Sequence, residues 1–412
     1  MALAALGARL GAASTAGMRG NIVRSKNLLP VVVNQTAKIT APSHLSHADQ
    51  GSLKSKPKPW PYEQRQFNLL WSFVDSTEAR LDENSKIIVV EGMPAVGKSA
   101  FAESLANELG FHYLSEATCD DVYRSEAHAS DQRNLDFMVS ENSRVYDLKR
   151  FYNDANPQSG VPGRLQLDFY LARFLKYTNA LKHLLNTGQG VVCDRSVFGD
   201  SVYADAMRAC GYIKPRGLSF YNRVRVNTIC ELWKPHLTIY LDAPLEHVRA
   251  QITKRNNPDE VNSKVLTDEY LSRLEHGFKN NFLPEMRRYG EVLTYDATDL
   301  EDWEVIVEDI ERLNLELDPE DETKFEDWHA NEEQEWAWHR RYFSSEKHMM
   351  RLFGLMDGPW DAPEMIANIE QLNERNTAAM RHPHLEYVAE FNPKRGASLS
   401  NILLGIKSPV NK

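Results

Sequence analysis

The sequence predicts an α/β protein, a parallel sheet with helices on both faces, followed by a helical C-terminal extension. Two observations carry this. Short apolar runs rich in β-branched residues alternate with longer stretches of helical periodicity. A glycine-containing tract, Gly92-Met93-Pro94-Ala95-Val96-Gly97-Lys98-Ser99, stands between one such run and one such stretch. Strands this short and apolar, separated by helices, need cover on both faces, which a parallel sheet provides.

Each element can be justified in order. Phe67, Leu70, Trp71, Phe73 and Val74 suggest a lead-in helix. Lys86 to Glu91 reads as the first strand, and Lys98 to Leu109 as a helix that Gly110 ends. Leu167, Tyr170, Leu171, Phe174, Leu181, Leu184 and Leu185 recur at i, i+3, i+4 spacing and stop at Asn186-Thr187-Gly188. Val191-Val192-Cys193 is the second strand, Leu237 to Leu241 the third, and Val292 to Tyr295 the fourth.

The tract from Gly92 to Ser99 fits GxxxxGK(S/T), with a strand before it and an amphipathic helix after it, the context a P-loop requires. Glycines let backbone N–H groups curl around phosphate oxygens, and a helix N-terminus adds partial positive charge. Lys98 is suited to neutralise the β/γ phosphates, and Ser99 to hold Mg²⁺. Asp194 and Arg195 follow the second strand, at the carboxyl edge of the sheet where ligands collect. An acid there orders a Mg²⁺ water or a nucleophile, and an arginine reaches a phosphoryl group.

Bulk properties narrow the partners. A net charge of -10 argues against nucleic acid, whose backbone demands a basic footprint. Cys119, Cys193, Cys210 and Cys230 show no CxxC spacing, so they read as thiols in a reducing compartment. No apolar run approaches the roughly 18 to 20 residues of a membrane span. Residues 1–48 hold no Asp or Glu, while Arg9, Arg19, Arg24, Lys26 and Lys38 supply positive charge. A helix through Leu3, Leu6 and Leu10 has the character of a mitochondrial transit peptide. Residues 49–62 form a Pro/Lys-rich linker whose alternate prolines forbid a helix, with Trp60 and Tyr62 expected to clamp it to a surface.

Beyond the core region, assigned to residues 63–315, an extension at 316–412 follows. Asp318-Pro319 marks a break. Glu332 to Leu355 reads as a helix with Trp336, His339, Tyr342, Phe343 and Met350 on one side, ended by Gly358-Pro359-Trp360. Glu364 to Arg381 reads as another, before a polar tail at 396–412. The aromatic face either packs on its own domain or docks a partner, since aromatics and Met are enriched at interface cores.

Glu91-Gly92, Gly97-Lys98-Ser99, Glu116, Asp194-Arg195-Ser196-Val197-Phe198-Gly199-Asp200 and a late arginine region together resemble the deoxynucleoside kinases over about residues 60–315. Within that superfamily the chain more closely resembles an accessory-subunit family of mitochondrial respiratory complex I. The carriers are Lys58-Pro59-Trp60-Pro61-Tyr62, Arg164-Leu165-Gln166, Asn186-Thr187-Gly188-Gln189-Gly190-Val191-Val192 and Phe282-Leu283-Pro284-Glu285-Met286.

The resemblance implies roles residue by residue. Glu116 matches a general base, Asp194 and Arg195 its supporting pair, and Asp200 an acid that helps read the nucleobase. Gly92, Gly97, Lys98, Ser99, Asp200, Arg249 and Arg255 are the expected nucleotide-binding residues, with Mg²⁺ at Ser99. A purine nucleotide is the expected ligand; FAD is implied by resemblance alone, with no GxGxxG fingerprint beside it. Departures from the kinases stand out. Thr253 (or Lys254 after a one-residue shift) occupies a lid-arginine position, Pro258 enters where the lid continues, and Ser201 replaces an arginine. Asp168 aligns with a base-reading glutamine, and Gln166 lies two residues away.

These features imply a non-catalytic accessory subunit of NADH dehydrogenase. It would support assembly or stability on the matrix side of the mitochondrial inner membrane, with other complex I subunits as partners. The alternative is an active mitochondrial deoxynucleoside kinase using ATP and Mg²⁺, and a third reading is a matrix nucleotide sensor.

Overall fold

The computed structural model describes residues 56–125, 130–155, 161–300, 302–316, 324–345, 361–362, 365 and 369–382. The proposed transit peptide, the linker before Lys56, Pro319, Met350, the 358–360 stop and the tail lie outside the described residues.

Five strands form one sheet: β1 (Ile87–Gly92), β2 (His112–Leu114), β3 (Val191–Asp194), β4 (Leu237–Asp242) and β5 (Glu291–Asp296). Their order is β2-β3-β1-β4-β5, and every pairing is parallel. The register sets Val90 beside Asp194 and Gly92 beside Leu241, so the carboxyl ends of β1, β3 and β4 meet at one edge. β1 and β3 are buried along their whole length, as the β-branched runs require. β2 is the strand the sequence pattern does not announce. It is three half-buried residues, His-Tyr-Leu, with no β-branched residue among them.

The helices are α1 (Lys98–Leu109), α2 (Cys119–Tyr123), α3 (Leu148–Asn153), α4 (Val161–Thr187), α5 (Asp200–Ala209), α6 (Pro215–Ile229), α7 (Leu245–Arg255), α8 (Pro258–Val261), α9 (Asp268–Gly277), α10 (Leu283–Met286), α11 (Trp303–Glu311), α12 (Glu333–Ser344) and α13 (Ile369–Arg381). α1 lies between Gly97 and Gly110, both in the left-handed region, as expected from the glycines. α4 stops at Gly188, whose φ is +74° and whose N–H donates to Leu184 O at 2.7 Å.

The lead-in helix does not form. Only a 3₁₀ turn at Trp71–Phe73 is present, because Asn68 Oδ1 accepts the N–H groups of Leu70 and Trp71 at 3.0 and 3.3 Å. Leu70, Phe73 and Val74 remain exposed, so no apolar face holds a longer helix in place.

The linker end is clamped as its aromatics imply. Trp60 donates its backbone N–H to Asn186 O at 2.9 Å and packs on Phe67 and Trp71, while Tyr62 Oη lies 2.8 Å from His183 Nδ1. Behind it, Arg340 from α12 bonds Asn186 Oδ1 (2.9 Å) and Asp75 Oδ2 (2.8 Å) and stacks on Phe67. Trp328, Trp336, His339 and Phe343 surround Trp233, so the aromatic face of α12 packs on its own domain. Trp338 alone of that helix's tryptophans stays largely exposed.

Candidate functional site

The site grows from the loop between β1 and α1. Gly92 sits so close to β4 that a Cβ on it would lie 2.7 Å from Leu241 O. Ala95 (φ +64°) and Gly97 (φ +91°) turn the chain left-handed and aim the loop's amides inward. Lys98, first residue of α1, is buried and donates to Met93 O at 2.7 Å. Burial first, and Arg195 beside it, lower its pKa to about 8 against the opposing pull of Glu116, Asp194 and Glu91.

At the end of β3, Asp194 is buried, and neither of its oxygens has a hydrogen-bond partner among the described residues. Burial raises its pKa and the Glu116 carboxylate adds to that, while the Lys98 ammonium and the Arg195 guanidinium pull the other way. A buried carboxylate left without a partner next to an exposed serine hydroxyl is the donor set that suits a hydrated Mg²⁺. Arg195 follows in the left-handed region (φ +67°), a strained conformation for an arginine. Its N–H donates to Val90 O at 3.0 Å, and its guanidinium pairs with Glu116 and lies 4.1 Å from the Tyr203 ring centroid. Burial pushes the Glu116 carboxyl up, but Arg195, Arg173 and Lys98 together hold it at about 2. Glu91 braces the turn from beneath, accepting the N–H and hydroxyl of Ser196, each at 2.8 Å.

The remaining wall comes from α4. Gln166 and Arg173 are seven residues apart, two helical turns, and share a face. Gln166 Nε2 donates to Asp200 Oδ2 at 2.8 Å, Arg173 pairs with the same carboxylate, and Tyr221 Oη donates to it at 2.5 Å. Arg173 also reaches Glu116 at 3.5 Å. These groups border a cavity of about 550 Å³ whose other walls include Phe151, Tyr152, Phe169, Tyr203 and Tyr270.

Most expected site residues therefore come together, and three do not. Lys98, Ser99, Glu116, Asp194, Arg195 and Arg255 line the cavity, with Gly92 and Gly97 shaping the loop. Asp200 does not line it; it is buried behind Gln166 and Arg173 and acts through them. Arg249 points elsewhere and pairs with Asp268 at 2.5 Å on the surface. Six helical residues separate it from Arg255, which puts the two roughly 120° apart around α7. Asp168 is displaced likewise, pairing with Arg164 at 3.3 Å, while Gln166 faces the cavity and takes the place assigned to Asp168.

The lid is short. Asn256 (φ +52°) ends α7, and Pro258 opens α8 behind Asn257, which accepts from Asp259 N–H. Pro258 thus starts a helix rather than breaking one. Thr253 is exposed and bonds back to Arg249 O at 3.0 Å, and Arg255 pairs with Glu260 at 3.3 Å. Sequence reasoning misses Arg173, Tyr203 and Glu260. The available signal is an arginine two turns from a glutamine in an otherwise apolar helix. For FAD the fit is poor: the cavity has one phosphate cradle, and no GxGxxG turn is present among the described residues.

A family model described as deoxynucleoside kinase matches residues 88–331. NADH dehydrogenase (ubiquinone) 1 alpha subcomplex subunit 10, mitochondrial, of Bos taurus is 38% identical over 240 residues, covering 58% of this chain and 67% of that protein. Its Mus musculus counterpart is 38% identical over 254 residues, covering 62% and 68%. A deoxyguanosine kinase of Dictyostelium discoideum is 26% identical over 241 residues, covering 58% and 74%. Among solved structures, deoxyadenosine kinase from M. mycoides with bound dATP overlaps 54% of this chain and 96% of that one, at 17% identity and a TM-score of 0.38.

Proposed function

The chain belongs to the deoxynucleoside kinase family, within the group of NADH dehydrogenase alpha subcomplex subunit 10 proteins, and we propose that it is a non-catalytic accessory subunit of mitochondrial respiratory complex I that retains a nucleotide site. Its relatives at 38% identity carry that subunit's name, which supports placing it among the other mitochondrial subunits of the complex; a peripheral position on the matrix side of the inner membrane is part of the proposal. No helix among the described residues is long and apolar enough to cross a membrane.

The lid is the observation that carries the non-catalytic reading. Phosphoryl transfer depends on cations held around the migrating group. Here the lid helix offers the cavity one guanidinium, Arg255, and Glu260 already neutralises it. Thr253 and Arg249 face away. Binding needs less. The loop amides and Lys98 suit phosphates, and Asp194 with Ser99 would hold Mg²⁺, which would supply positive charge to offset the phosphates. The Gln166 amide nitrogen is committed to Asp200, so its carbonyl oxygen is left for a ligand N–H while Arg173 donates; that acceptor–donor pair fits a purine edge.

The complete Glu116–Arg195 pair favours a second reading, an active kinase. One assay separates the two. The purified chain is incubated with ATP, Mg²⁺ and each deoxynucleoside in turn, and nucleotide binding is followed by calorimetry. Binding without turnover above the Lys98→Ala background is expected. Robust turnover that Lys98→Ala abolishes would overturn the accessory reading, as would failure to migrate with the intact respiratory complex on a native gel.

A further inference from the structure

The C-terminal extension reaches back to the segment that joins two walls of the cavity. On α13, Glu374 accepts the Ser140 N–H at 2.5 Å and the Ser140 hydroxyl at 2.7 Å, and the Ser143 hydroxyl also donates to it. Arg375 donates to Asp136 Oδ1 (3.0 Å), Ser143 O (2.8 Å) and Gln132 O (2.7 Å). Leu135 and Val139 close a small core against Ala378 and Ala379. Residues 132–143 contain only 3₁₀ turns, so α13 supplies much of what holds them.

That segment runs into a cavity wall at each end. Arg133 pairs with Asp120 at 2.5 Å on α2, whose Cys119 lines the cavity. On the other side, Val145 enters the main core and Asp147 caps α3 through the Arg150 N–H at 3.0 Å. Leu148, Phe151 and Tyr152 of α3 line the cavity as well. Met365, from the same extension, is buried against α4, where a Cβ on Gly163 would lie 2.8 Å from its Sδ.

Resting on the nucleotide-site reading above, we propose that α13 is a regulatory strap: it fixes the positions of α2 and α3, so that docking of the C-terminal extension and occupancy of the cavity are thermodynamically coupled. Coupling of this kind is reciprocal. A protein that binds the extension would change the affinity for nucleotide, and nucleotide would tighten the extension.

Hydrogen–deuterium exchange on the full chain, with and without Mg·dATP, tests this in Arg375→Ala. Without nucleotide, the substitution is expected to raise exchange in 132–143 and also in α2 and α3. It is expected to weaken Mg·dATP binding about 5- to 10-fold, and saturating dATP is expected to slow exchange in α13 of the unmodified chain. Loosening confined to 132–143, with α2 and α3 unchanged, would overturn the strap. So would loosened walls with dATP affinity held within about twofold. If Arg375→Ala unfolds the protein, Glu374→Gln replaces it, and unmoved α2 and α3 in that variant would overturn the strap equally. Because the exchange of the walls is read without ligand, failure of the nucleotide-site reading appears separately, as absence of dATP binding to the unmodified chain.

Discussion

Lys98 and Glu116 lie on the same cavity wall, yet burial and neighbouring charges shift their protons in ways with opposite consequences for pH dependence. A buried cation with its pKa lowered to about 8 gives up its proton early in the folded chain. Its burial therefore costs stability below pH 8, and that cost is relieved as pH rises. Phosphate binding has the reverse dependence, since it needs the ammonium. Affinity for Mg·dATP should fall about fivefold between pH 8 and 9 in calorimetry, and Lys98→Ala should remove both the binding and this dependence. Glu116, held at about 2, has a depressed pKa. Its contribution to stability is fully present above the ordinary glutamate value and is lost as pH falls toward 2. Glu116→Gln should lower Tm at pH 7, because Arg195 loses its partner, with the deficit narrowing in thermal scans between pH 5 and pH 2. Lys98 is legible from the P-loop motif, whose backbone context fixes it, while Glu116 is reached only through the family resemblance, because β2, the strand before it, carries no sequence signature. Arg249 and Asp168 fall outside the site because matching a motif by position ignores the roughly 100° that each residue turns around a helix. Two residues on from Gln166 is the opposite face of α4, while Arg173, two turns away, returns to the same face.

At the scale of elements, boundaries marked by glycine are readable in the sequence and those decided by tertiary contacts are not. α1 begins and ends where Gly97 and Gly110 permit left-handed turns, and α4 ends where Gly188 does. Gly188 is also a packing requirement, since a Cβ there would lie 2.1 Å from Arg80 O. The lead-in helix fails for the opposite reason: Leu70, Phe73 and Val74 have no surface to bury against, and Asn68 captures two of its N–H groups. What orders that stretch is Asp75, shared by two buried arginines. Arg80 comes from the linker side and Arg340 from α12, both almost inaccessible to solvent. Neither arginine shows any periodic signature, and the pairing spans more than 260 residues. Arg340→Ala removes a buried hydrogen-bonded charge and also its stack on Phe67. It should destabilise the chain by about 3–5 kcal/mol, read as a lower Tm. Proteolysis should then become faster in residues 56–80, because the ion-pair cluster that ties the arm to α12 has lost one member.

Over the whole molecule, the extension does more than add surface. α12 buries aromatics around Trp233, Met365 packs on α4, and α13 grips the segment between two cavity walls. The extension is legible in sequence as helical and aromatic. Its closure onto its own domain is not, because aromatic periodicity is the same whether a helix packs inward or docks a partner. The consequence is that nucleotide occupancy and the integrity of the extension bear on one folding equilibrium. A ligand at a hundred times its Kd stabilises the folded state by about 2.7 kcal/mol through mass action alone. Under the proposed accessory role, a bound nucleotide would act as a structural component rather than a substrate. The expected behaviour follows in mitochondria where Lys98→Ala replaces the original protein. The assembled complex should still form and migrate at full size on a native gel at permissive temperature, since α12 and the arm are packed independently of the P-loop. Its thermal dissociation should begin several degrees lower, and added Mg·dATP should raise the dissociation temperature of the unmodified complex but not of the variant. Loss of the complex as complete as in cells lacking the subunit would instead make phosphate binding a condition of assembly itself.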